Sequence, residues 1–215
     1  MNLRELIKEF RRVTDDLAEP YFWTDPEIIG YANQAEQEAC RRALLLSDTA
    51  KIKVRANNPI VALIEGTILV RRVRLIAAAR NLRLLSWRRV EEKTPNWEDQ
   101  TGAPFVGIPD WISGAIRLHP VPIAEDTAAM NFYRLPNADM ASGSDCPEID
   151  VKHHFALVDH MLELGYGKHD ADCFDPNAAA FHAGKFTAVF GPPASAVAEA
   201  GAERDVSRSR HSSPL

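Results

Sequence analysis

Cysteine is scarce in this sequence of 215 residues: Cys40, Cys146 and Cys173 are scattered, with no C-x-x-C pair among them. An odd, unclustered set gives no framework of internal disulfides, and a reducing compartment is the simpler inference. Long apolar runs are missing as well. The longest, near residues 59–64 and 75–79, fall far short of the roughly 20 residues needed to span a bilayer. The opening MNLRELIKEF alternates charge and apolarity, so it lacks the uninterrupted apolar stretch of a signal peptide. No G-x-x-x-x-G-K-[ST] or G-x-G-x-x-G occurs, and GYGKHD, the nearest approach, follows a helix rather than a strand. Zinc-finger spacing, an RNP signature, a helix-turn-helix and an internal repeat of solenoid period are also lacking.

What is present suffices for one good core or two small ones, since 46% of the residues are hydrophobic. The net charge of −5 hides a strong local bias. Ile68 to Val90 carries seven arginines (Arg71, Arg72, Arg74, Arg80, Arg83, Arg88 and Arg89) and no acid. Arginines alternating with Val and Leu are what the solvent face of half-buried strands looks like. The same stretch could also meet phosphate or acidic protein.

Apolar spacing predicts a first amphipathic helix over residues 2–17, from Leu3, Leu6, Ile7, Phe10, Val13 and Leu17. A second starts at about residue 25. There Thr24 and Glu27 form an S/T-x-x-E capping box with Pro26 in the first turn, and Ile28, Ala32, Ala35, Ala39 and Ala43 make a stripe of mostly small side chains. Short Val/Ile/Leu/Arg-rich runs separated by turn signals predict strands near 51–55, 59–64, 67–78, 81–85, 104–108, 114–119 and 127–134, with a short helix near 86–93. The polar segment 137–150 reads as a linker or loop. Val151, Phe155, Val158 and Leu162 then predict a third helix, which Gly165 and Gly167 weaken. Asp175 and Pro176 open a fourth, with Ala179, Ala183, Phe186 and Phe190 on one face. The expected fold class is therefore α+β: an antiparallel helical bundle of about four helices, an inserted mostly-β lobe and an extended C-terminal tail. The expected parts are 1–48 and 138–191 for the bundle, 49–137 for the lobe and 192–215 for the tail, which is too polar to join a core by itself.

The richest collection of chemically able side chains is His153, His154, Asp159, His160, His169, Asp170, Asp172 and Cys173. His153 and His160 are two helical turns apart, about 10 Å, too far for one tetrahedral ion, and no H-E-x-x-H occurs. DADCFD lacks the glycine and the distal Glu of a calcium loop. ASGSDCPE holds Ser and Cys but neither a nucleophile elbow nor an electropositive thiol setting. No catalytic, metal or cofactor-binding residue is assigned.

Trp23, Asp25, Glu27, Ile28, Tyr31, Asn33 and Ala35, then Pro95, Asn96, Trp97, Glu98, Gly102 and Pro104, then YRLP at 133–136, and finally Asp170, Asp172, Asp175, Pro176, Phe186, Phe190 and Gly191 follow one another in an order that spans almost the whole chain. In these residues the sequence resembles the head-to-tail connector, or adaptor, proteins of tailed bacteriophages. The resemblance implies a structural virion protein at the head-to-tail interface, assembled in the host cytoplasm. It implies a ring, commonly dodecameric, beneath the portal of a DNA-filled capsid. The implied partners are the portal protein, tail or neck proteins and neighbouring copies, with phage DNA passing through the lumen without sequence-specific binding and no membrane. The tail would then dock on the portal through Val197, Arg204, Val206, Arg208, Arg210 and Leu215, and the seven arginines would be lumen or subunit contacts. Two other readings stand beside it: a metal-dependent hydrolase built on the His/Asp-rich third helix, and a nonspecific DNA-binding protein acting alone.

Overall fold

The computed structural model describes residues 1–169 and 173–193. Among them the chain is a mixed α+β protein that divides into two compact units, residues 1–46 with 135–193 and residues 47–134. In chain order the α-helices are α1 (Leu3–Thr14), α2 (Asp25–Ala43), α3 (Trp87–Lys93), α4 (His154–Tyr166) and α5 (Pro176–Phe190). The strands are β1 (Leu46–Val54), β2 (Ile60–Ala62), β3 (Thr67–Leu75), β4 (Arg80–Asn81), β5 (Arg83–Leu84), β6 (Thr101–Gly102), β7 (Val106–Ile112), β8 (Ala115–His119), β9 (Val121–Pro122) and β10 (Asp126–Arg134).

The first unit packs α1, α2, α4 and α5 on one another. Asn2 caps α1: its side chain accepts the Glu5 amide at 3.0 Å while the Glu5 carboxylate accepts the Asn2 amide at 3.0 Å. The helix buries Leu3, Leu6 and Phe10 but stops at Thr14, short of the expected residue 17. Asp15 turns left-handed (φ 57°), and the Asp16 carboxylate accepts the amides of Phe22 at 2.8 Å and Trp23 at 3.3 Å, which leads the chain away and leaves Leu17 63% exposed. In α2 the small stripe is buried through Ala39, whereas Ala43 is exposed at the helix end, where Leu44 adopts a left-handed cap.

α4 is rotated from its expected face. A 3-10 turn over Val151–His153 precedes it, and the His154 ring bonds the Ile149 carbonyl at 2.8 Å. Val151 (70%) and Phe155 (59%) are therefore exposed, and Leu157, Val158, Met161, Leu162 and Gly165 face inward. Gly165 is a point of close approach: a Cβ there would lie 2.8 Å from Phe10 Cζ. Phe10 is fully buried against Trp23, with ring centroids 5.3 Å apart, and Tyr31 at 6.2 Å.

The second unit contains two four-stranded sheets, β1-β10-β3-β4 and β2-β8-β7-β5, and the two-stranded β6-β9. Val54, Val70, Val73, Leu75, Met130 and Phe132 of the first sheet share a core with Val61, Ile116 and Leu118 of the second. The strand that opens the unit and the strand that closes it are neighbours, and Arg134 Nε at the end of β10 donates to Asp48 Oδ2 of β1 at 3.2 Å. Several strand bounds differ from expectation. β1 starts at Leu46, ahead of the expected residue 51, through its pairing with β10; the exposed Ser47, Asp48 and Thr49 carry no apolar alternation to announce it. The run expected over 67–78 ends at Leu75, and the one expected over 81–85 becomes β4 and β5 in different sheets, with buried Leu82 between them. β7 runs through Pro109 to Ile112. The register with β8 shifts between Ile108 and Ile112, and such an irregularity accommodates a residue that cannot donate to the ladder.

Two side-chain arrangements fix the rest of this unit. The carboxylate of Asp126 accepts the amides of Ala77 at 2.8 Å and Ala78 at 3.1 Å, holding the turn after β3. Trp97, Val90, Val106 and Ile108 form a second small core, over which the Arg117 guanidinium lies 4.9 Å from the Trp97 ring and 5.0 Å from the Trp111 ring.

Substituting Gly165→Ala raises helix propensity by about 1 kcal/mol, yet the added methyl has no room against Phe10. The expected net outcome in urea unfolding is a loss of about 1–3 kcal/mol, relieved when Phe10→Leu is combined with it. Equal and additive effects of the two substitutions would show that the contact is not the constraint.

Candidate functional site

The His/Asp-rich segment does not converge. His154 is buried and bonded to the Ile149 carbonyl, whereas His153 lies against the Phe190 ring at 5.5 Å. His160 bonds Glu163 at 2.8 Å and stacks on Phe186 at 4.7 Å. Buried Asp159 accepts from His182 at 2.8 Å and from Lys185 at 2.6 Å, which joins α4 to α5. His169 packs against Phe174, and Cys173 contacts the Lys168 carbonyl. Asp170 and Asp172 lie outside the described residues. Among the described residues no group of three His, Cys, Asp or Glu is placed to hold a metal ion.

Several of the residues that carry the adaptor resemblance occupy caps and core. Trp23 is buried against Phe10. Tyr31 sits on the same ring, and burial pushes its phenol up from the ordinary value. Trp97 anchors the small core of the second unit, and Phe186 and Phe190 are buried in α5 with centroids 4.6 Å apart. Asp175 caps α5, accepting the amides of Asn177 at 2.9 Å and Ala178 at 3.0 Å, and Pro176 follows in the first turn.

Asn33 has a different task. Its side-chain amide donates to the Met140 carbonyl at 3.0 Å and accepts the Met140 amide at 2.8 Å. It thereby pins segment 137–150, which its composition marks as a linker or loop. Buried Glu36, one turn further along α2, accepts the amides of Glu148 at 2.5 Å and Ile149 at 3.3 Å. Asp145 Oδ2 closes the turn by accepting from Ala141 and Ser142. The segment is thus an ordered strap tied to α2. Burial raises the Glu36 carboxyl above its ordinary range, and the two backbone amides oppose that shift.

Sequence reasoning also missed the buried Arg11. It bonds Asp16 at 2.5 Å, Asp25 at 2.7 Å and the Trp23 carbonyl at 3.0 Å, and its guanidinium lies 3.8 Å from the Tyr21 ring centroid. An arginine on a charged helix gives no signal of burial, because its partners come from the following loop. The capping box at Thr24 is present: Glu27 Oε2 accepts the Thr24 amide at 2.9 Å. Lys168 Nζ lies 2.7 Å from Glu27 Oε1, and this contact, together with the Thr24 donors, holds the Glu27 carboxyl down to about 2.

The seven arginines are distributed over several surfaces. Arg71, Arg72 and Arg74 are exposed on β3, Arg80 on β4 and Arg83 on β5 of the other sheet, and Arg88 and Arg89 are on α3. On β3 the register slips between Asn131/Arg72 and Phe132/Val70. This bulge lets consecutive Arg71 and Arg72 both face outward while Val70 and Val73 stay in the core. Val197, Arg204, Val206, Arg208, Arg210 and Leu215 lie outside the described residues.

These polar groups hold backbone and helices together. Comparison with known families matches residues 1–214 to the SU10 adaptor protein. The chain belongs to that family and is a phage adaptor protein, a virion component whose membership implies contacts with other virion proteins. No curated protein matches it. No helix among the described residues is long and apolar enough to cross a membrane.

Two measurements check the polar ties. Glu36→Ala strands the buried Ile149 amide and the half-buried Glu148 amide, with an expected loss of about 1–3 kcal/mol, whereas Glu36→Gln keeps an acceptor and removes a buried charge, so it should equal or exceed wild type at pH 7. Because the folded Glu36 carboxyl is raised, wild-type stability falls as pH rises through the window above 4.5; that contribution disappears in Glu36→Gln. Glu27 has the opposite sign: its folded value is depressed, so its stabilisation is complete above 4.5 and is lost as pH falls toward about 2. Glu27→Ala should cost about 1 kcal/mol at neutral pH, with the deficit shrinking in acid titrations followed by circular dichroism.

Proposed function

We propose that this protein is the head-to-tail adaptor of a tailed phage, forming a ring under the portal that joins the DNA-filled capsid to the tail and encloses the DNA channel. The family match over residues 1–214 carries this reading. In it, residues 1–48 and 138–191 make a four-helix bundle, residues 49–137 an inserted β-rich lobe, and residues 192–215 an extended tail that docks on the portal. The ring is commonly dodecameric in such adaptors, and assembly takes place in the host cytoplasm.

Exposed apolar side chains on the helices support packing between copies. Phe155 of α4 and Phe181 and Val189 of α5 are all more than half exposed, with Phe181 at 64%, and α5 contains no acidic residue. A neighbouring copy would remove this surface from water, at about 25 cal/mol per Å² of apolar area. Rotational symmetry repeats each such contact around the ring.

The test is sedimentation of the full-length chain, alone and mixed with its cognate portal protein, beside a chain truncated after Gly191. The expected result is that the full-length chain enters the portal complex and the truncated one does not. Exclusion of both overturns the adaptor assignment, and equal inclusion of both removes the tail from portal docking.

A further inference from the structure

The outer face of the β1-β10-β3-β4 sheet gathers cations that do not adjoin in sequence. Ala50, Ile52 and Val54 of β1 pack into the core, so the intervening Lys51 and Lys53 point out, and both are exposed. On β3 the bulge sends Arg71 and Arg72 outward, and Arg74 follows between Val73 and Leu75. β10 lies between these strands. Its Ala128, Met130 and Phe132 face the core, leaving Ala129, Asn131 and Tyr133 outside. The face therefore has a lysine rail and an arginine rail about 10 Å apart, two strand spacings, flanking a neutral lane.

Among the described residues none of Lys51, Lys53, Arg71, Arg72 and Arg74 forms an ion pair. Arg72 donates to the Asn81 side-chain carbonyl at 3.0 Å, and Arg71 lies 5.0 Å from the Tyr133 ring centroid. The two acids of these strands are otherwise engaged: Asp48 with Arg134, and Asp126 with the amides of Ala77, Ala78 and Thr127. Among the described strand residues the large apolar side chains of this face are Tyr133 and its cross-strand partner Leu69, at the end away from Arg74, whereas the centre of a protein-binding surface is apolar and depleted of charge. Nucleic-acid interfaces have the composition seen here, polar and strongly positive.

We propose that this face is a sequence-independent contact surface for the phosphate backbone of double-stranded DNA. A backbone strand lying along the neutral lane takes cations from both rails, the guanidiniums by two-pronged hydrogen bonds and the ammoniums as point charges. The inference rests on the adaptor reading for its source of DNA, the genome passing between head and tail. It separates Arg71, Arg72 and Arg74 from Arg83 and Arg88, which are not on this face.

The test is fluorescence anisotropy of a short random-sequence duplex titrated with the full-length chain between about 50 and about 200 mM salt, with thermal melts to establish that each variant is folded. Lys51→Glu with Lys53→Glu, or Arg72→Glu with Arg74→Glu, should each weaken binding at least about tenfold and lower the salt slope by about two. Arg83→Glu with Arg88→Glu should leave both unchanged. Absence of wild-type binding at low salt, or binding indifferent to either rail, overturns the proposal. Rail variants that keep DNA binding but no longer join the portal complex also overturn it, by making the face a protein interface. Portal sedimentation of the wild type reports the adaptor reading separately, so a chain that joins the portal without binding DNA loses only this inference.

Discussion

The first unit depends on the contact between Phe10 and Gly165. Phe10 brings α1 against Trp23 at the end of the first loop, Tyr31 of α2 and the backbone of α4. A helix can present its backbone so closely only where no Cβ intervenes, so a residue of poor helix propensity becomes the one that fits. The direction in which the chain leaves α1 is then set by Arg11 and Asp16, which tie the loop carrying Trp23 back onto the helix. The helices are held by shape at one aromatic side chain and by charge one residue along.

A second theme is the capture of backbone amides by carboxylates. Glu36 and Asp145 hold the strap, Asp16 the first loop, Asp126 the turn after β3, Asp175 the start of α5 and Glu27 the start of α2. Each satisfies donors that neither helix nor sheet can satisfy, and buried donors left unpaired are costly. These acids are thus structural. A net charge of −5 thus coexists with a sheet face whose charged groups are cations: the acids of its strands are engaged by Arg134 and by backbone amides.

For a phage adaptor protein this division of labour is physically sensible. Helices and straps set the shape of each subunit, and what is left exposed, apolar groups on α4 and α5 and cations on the sheet, is available to other virion components. A component that works by geometry has no need of convergent titratable groups, and its signature residues sit in caps and cores, as Trp23, Trp97, Asp175 and Phe186 do.

Elements governed by near neighbours were legible in the sequence. The capping box at Thr24, the Asp175–Pro176 helix start, the burial of the stripe Ile28, Ala32, Ala35 and Ala39 and the strand-rich character of residues 51–134 follow from spacing and turn chemistry over a few residues. Family membership was legible too, because ordered short motifs survive along the chain. Other features required partners distant in sequence. The rotation of α4 is set by a 3-10 turn and the Ile149 carbonyl, the ordering of 137–150 by Asn33 and Glu36, and the burial of Arg11 by Asp16, Asp25 and Tyr21. The gathering of Lys51 and Lys53 with Arg71 to Arg74 depended on strand order and a single bulge. Sequence determined the local elements because hydrogen bonding and propensity act within a turn or two. Tertiary structure alone decided which faces meet, because register and close packing are set by groups far apart along the chain.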